Sequence, residues 1–115
     1  MKITIYHNPK CGTSRNVLAL IRERGHEPQI MEYLKDPPSP GRIRELLTMM
    51  DLEPRDMMRR KQPEYTEIGL DNPAVPDNTL IEAMASHPIL IERPIVVSDK
   101  GARICRPKER VLEIL

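Results

Sequence analysis

Cys11 lies in the run Ile3-Thr4-Ile5-Tyr6-His7-Asn8-Pro9-Lys10-Cys11-Gly12-Thr13-Ser14-Arg15, where an apolar strand pattern stops and an amphipathic helix begins after a short loop. The first N–H groups of a helix have no partner inside it and carry partial positive charge, so a cysteine at that junction is biased toward its nucleophilic thiolate. The same N–H groups suit an oxyanion. The chemistry to expect is therefore thiol chemistry on an anionic substrate. The motif is Cys11-Gly12-Thr13-Ser14, with serine where a second thiol could stand. An oxidised Cys11 would need an external thiol, or the distant Cys105, to resolve it.

The elements that must position this thiol can be read from pattern. Lys2 to Tyr6 alternates as a strand, and Thr13 or Ser14 can cap a helix carrying Val17, Leu18, Leu20 and Ile21 that ends at Gly25. Pro28 to Tyr33 reads as a second strand, parallel to the first because a helix connects them. Ser39-Pro40 opens a helix with Ile43, Leu46, Leu47 and Met50 on one face. Residues 54 to 88 read as a helical insertion of short pieces broken by Pro63, Gly69, Pro73 and Pro76, with a better helix from Asp77 carrying Leu80, Ile81 and Met84. Ile95-Val96-Val97 and Ala102 to Cys105 flank an Asp99-Lys100-Gly101 hairpin turn. Pro107 then opens a last helix with Val111, Leu112 and Leu115 on one face.

The order βαβα, helical segment, ββα predicts an α/β fold, a small mixed sheet flanked by helices, and this is the thioredoxin-like order. The length of 115 residues suits a single domain over 1–115. Lys+Arg 18 against Asp+Glu 17 leaves no electrostatic footprint for nucleic acid or an anionic membrane. No apolar run is long enough to span a bilayer, and Met1-Lys2-Ile3 leads straight into a strand pattern, so the expected location is cytoplasmic. Two cysteines in such a chain predict neither a structural disulfide nor a four-cysteine metal site.

Separate motifs now agree in order and spacing: Tyr6 to Asn16, Met58-Arg59, Glu92-Arg93-Pro94-Ile95-Val96-Val97 and Cys105-Arg106-Pro107. Together they resemble the glutathione/glutaredoxin-coupled arsenate reductases of the ArsC family, nearly end to end. The resemblance implies a catalytic cysteine at Cys11, arsenate-binding arginines at Arg59, Arg93 and Arg106, glutathione as co-substrate, glutaredoxin as partner, and no tightly bound cofactor or metal. Guanidinium forks suit a tetrahedral oxyanion because they bind its oxygens bidentately and stay charged. His7 and Ser14 are expected to support the thiol, and Pro94 stands where the thioredoxin fold carries a cis proline beside it. Cys105 and the methionines Met49, Met50, Met57, Met58 and Met84 read as core filler, and His26 and His87 as solvent-facing or turn residues. Two other readings are a related glutathione-dependent thiol oxidoreductase with another substrate and a non-enzymatic, Spx-like regulator that binds RNA polymerase. The Cys-x-x-Cys switch usual in the latter is broken here by Ser14.

Overall fold

A computed structural model describes residues 1–115. The chain divides into two compact units, 1–36 with 93–115, and 37–92.

The first unit holds a mixed four-stranded sheet of β1 (Thr4–Tyr6), β2 (Gln29–Met31), β3 (Ile95–Ser98) and β4 (Gly101–Ile104), in the order β2-β1-β3-β4. β1 pairs parallel with β2, Ile5 opposite Ile30, and antiparallel with β3, Ile5 opposite Val96. The parallel pair requires a crossover, and α1 (Gly12–Glu23) supplies it. Ile3, Ile5 and Val96 share one face of the sheet, where they pack with Val17, Leu18 and Ile21 of α1 and with Cys105, Val111 and Ile114. β2 is an edge strand, which leaves Ile30 exposed. α1 ends in a Schellman motif: Gly25 N–H donates to the Arg22 carbonyl at 2.9 Å and His26 N–H to that of Ile21 at 3.3 Å. That closure needs a left-handed residue, and Gly25 has φ +84°.

Two expectations for this unit are corrected. Thr13 and Ser14 do not cap α1. Cys11 itself is the N-cap, because the loop turns early, with Cys11 N–H donating to the Asn8 carbonyl at 3.0 Å. The last helix is a 3-10 helix over Lys108–Glu113, whose period of three buries Val111 and Ile114 and leaves Leu112 exposed. The Arg93-Pro94 bond is cis as expected, and so is Arg106-Pro107, which was not foreseen.

The second unit is helical: α2 (Pro40–Met50), a 3-10 turn (Pro54–Met57), α3 (Pro63–Glu67), α4 (Asp77–Ser86) and a 3-10 turn (Pro88–Leu90). Ser39 caps α2, its Oγ accepting from the Arg42 N–H at 3.1 Å, and Pro40 takes the first position, where its missing N–H costs nothing. Ile43, Leu46 and Leu47 of α2 and Leu80, Ile81 and Met84 of α4 are buried, and the two helices pack together. Met57 and Met58 are also buried, but Met49 is exposed, against the expectation that all five methionines fill the core. His87 is exposed at the end of α4, and His26 sits half-buried in the turn after α1.

Candidate active site

The β1–α1 loop is held by its own polar groups. The Ser14 hydroxyl lies 2.6 Å from His7 Nδ1 and accepts from the Asn8 N–H at 3.1 Å, and Asn8 Oδ1 accepts from the Lys10 N–H at 3.0 Å. His7 and Ser14 are both buried, so the start of α1 is fastened to the end of β1 beneath the reactive loop. This explains why Ser14 does not cap the helix: its oxygen is already used.

Cys11 sits above, half-buried, with extended backbone (φ −92°, ψ 123°). Burial alone pushes its thiol up. The N–H groups of Ser14 and Thr13 and the Arg93 guanidinium, acting as donor and as charge, outweigh burial and hold the thiol below its ordinary value. Arg106 Nη1 lies 4.0 Å from Cys11 Sγ and donates to the Arg93 carbonyl at 3.2 Å. Arg93 Nε is buried and has no hydrogen-bond partner. A buried donor of this kind costs about 1–3 kcal/mol until something accepts from it.

The structure thus brings Cys11, Arg93 and Arg106 together, and the His7–Ser14 pair fastens the loop that carries Cys11. Arg59 belongs to the helical unit. Its N–H donates to the Leu90 carbonyl at 2.7 Å, and its Nε lies 3.8 Å from Glu92 Oε1. Cys105 is fully buried and pushed up to about 12, chiefly by burial, with its Sγ 3.6 Å from the Arg103 carbonyl. It is an inert thiol in the core. No group of three or more His, Cys, Asp or Glu side chains is placed to hold a metal ion, and no helix is long and apolar enough to cross a membrane.

Two grooves flank α1. One is lined by His7, Pro9, Leu18 and Ala19 together with Arg15 and Arg22. The other, of about 390 Å³, lies between the first turns of α1 and the segment Arg106–Glu109. Asn16 and Lys108 line the second; Asn16 closes the Tyr6–Asn16 motif without having been singled out as a site residue, and Lys108 had no signal beyond its place two residues after Arg106.

A lowered thiol at a helix N-terminus, faced by two guanidinium groups on a thioredoxin-like sheet, defines a class: thiol proteins built to work on an anion. The profile of the ArsC family matches residues 6–114, and the chain belongs to that family. It is 50% identical over 115 residues to an arsenate reductase of Rhizobium meliloti, covering all of this chain and 82% of that one. It is 50% identical over 113 residues to an arsenate reductase of Escherichia coli K12, covering 98% of this chain and 80% of the relative. Among solved structures, an arsenate reductase from Vibrio cholerae superposes with a TM-score of 0.97 at 48% identity, over 100% of this chain and 98% of that one.

Proposed function

We propose that the protein is a cytoplasmic arsenate reductase that draws its electrons from glutathione and glutaredoxin. The observation that carries this reading is the Cys11 sulfur, biased toward thiolate and faced by Arg93 and Arg106. The names of relatives at 50% identity support the same substrate.

The Cys11 thiolate attacks arsenic, one arsenate oxygen takes up protons and leaves as water, and a Cys11–arsenic(V) bond remains. Arg93 and Arg106 neutralise the charge on the other oxygens, and the unpartnered Arg93 Nε–H is a donor awaiting such an acceptor. Arg59 is the third guanidinium in this assignment. A glutathione thiol then joins: its sulfur and that of Cys11 are oxidised to a mixed disulfide, the electron pair passes to arsenic, and arsenite leaves. Glutaredoxin exchanges the glutathione off Cys11 and restores the thiol.

The test is coupled consumption of NADPH by the purified protein with glutathione, glutaredoxin and glutathione reductase. Arsenate should start consumption and phosphate should not. Cys11→Ser should reduce the rate to background while circular dichroism stays unchanged, and Arg59→Ala should lower it about a hundredfold, as loss of an oxyanion donor does. Turnover by Cys11→Ser would refute the role of the thiol. Full glutathione-dependent thiol exchange with no response to arsenate would favour an oxidoreductase with another substrate.

A further inference from the structure

The reading above requires a second thiol, and this chain does not supply one. Ser14 stands where a resolving cysteine could be, and its hydroxyl is tied to His7 and Asn8. Cys105 is sealed in the core. The incoming thiol must therefore be seated on the surface within reach of Cys11.

Of the two grooves beside α1, the cations of one are already committed. Arg22 is held by both carboxylate oxygens of Glu27, at 2.9 and 3.0 Å, and Arg15 donates to the Pro9 carbonyl at 3.0 Å. The other groove is linked to the sulfur through Arg106, which lines it. At its Cys11 end are Thr13, whose N–H stabilises the thiolate, and Arg106, 4.0 Å from Sγ. Beyond them it is lined by Asn16, Lys108 and Glu109, all exposed. Its volume of about 390 Å³ lies in the range of small-molecule sites.

We propose that this groove, between Thr13 and Asn16 of α1 and the Arg106–Glu109 segment, seats glutathione, with Lys108 receiving one of its carboxylates and Asn16 its peptide groups. The inference rests on the reading of the protein as a glutathione-coupled enzyme. Glutathione matches the groove in charge: a thiol in mid-chain reaches Cys11 while a terminal carboxylate lies toward the lysine. Lys108 is the specificity-determining residue, and Glu109 opposes binding from the same wall.

A reaction without arsenate tests this separately from the substrate assignment. The Cys11 thiolate attacks one sulfur of glutathione disulfide, the S–S bond breaks, a Cys11–glutathione mixed disulfide forms, and one glutathione thiolate leaves. Its rate can be followed by intact mass, beside alkylation by neutral iodoacetamide as a measure of Cys11 reactivity alone. Lys108→Glu should slow glutathionylation about tenfold, Lys108→Arg should restore it, and Glu109→Gln should speed it about twofold, as expected for exposed charge pairs. Iodoacetamide rates should stay within about twofold of wild type, and in the coupled assay the KM for glutathione should rise while that for arsenate holds. Equal slowing of both reagents, no slowing of either, or a rise in the arsenate KM alone would overturn the proposal. Wild-type protein that glutathionylates as described but ignores arsenate would leave this groove standing and remove only the arsenate reading.

Discussion

Cys11 owes its character to groups that act on it from three directions: the Ser14 and Thr13 N–H groups from the helix, Arg93 by hydrogen bond and charge, and burial acting against both. The helical contribution belongs to the backbone and survives substitution of side chains, whereas that of Arg93 does not. Arg93→Ala should therefore shift the pH profile of iodoacetamide alkylation at Cys11 upward, toward that of an ordinary thiol, and an unmoved inflection would show that the helix alone sets it. His7 is hydrogen-bonded to Ser14 and is not among the groups that shift the thiol. Burial, above all, holds its imidazole below 6.5, with Glu32 opposing and Arg22 and Arg15 reinforcing. The folded chain thus binds fewer protons at His7 than the unfolded one. The stability this confers is complete above about pH 6.5 and is lost as pH falls through that value and on through the lowered folded one. Urea midpoints measured across this range should decline toward acid in wild type and less steeply in His7→Gln.

The legibility of the elements tracks how local their causes are. The start of α2 could be read to the residue because its cap and its proline stand side by side ahead of the apolar spacing, and the hairpin to within one residue, Gly101 opening β4 opposite Ser98 rather than lying in the turn. The start of α1 could not, since Ser14 is a good cap by type and is withdrawn from that role by His7, seven positions away and joined to it only in the folded unit. The final helix failed for another reason: apolar residues at 111, 112, 114 and 115 satisfy two periods, and packing against α1 selects the tighter one. In the helical unit, prolines announced breaks but not what ties the pieces together. Arg55 does this, donating to the Tyr65 hydroxyl, to the Leu70 carbonyl at 2.6 Å and to the Asn72 carbonyl at 2.9 Å. Arg55→Ala should cost about 2–3 kcal/mol in chemical denaturation, because two carbonyls and a buried tyrosine lose a charged donor at once. A loss below about 0.5 kcal/mol would mean that water replaces it.

For the molecule as a whole, the element order indicated the mixed sheet. The site was legible to the extent that its residues are punctuation: a cysteine after a strand, arginines beside prolines. Lys108 carries no such mark, being an ordinary surface type on an ordinary element, and only the groove singles it out. The same chain holds two thiols in opposite conditions, one half-exposed and lowered, one sealed and pushed up to about 12. Iodoacetamide at neutral pH should therefore add one label to the native protein and two in denaturant, read by intact mass, and a second label under native conditions would show that the core opens readily. This makes Cys105 a stopwatch for unfolding. Once Cys11 is blocked, every further label marks a molecule that has opened its sheet core, so the stability of any variant proposed above can be timed on the same sample that reports its chemistry.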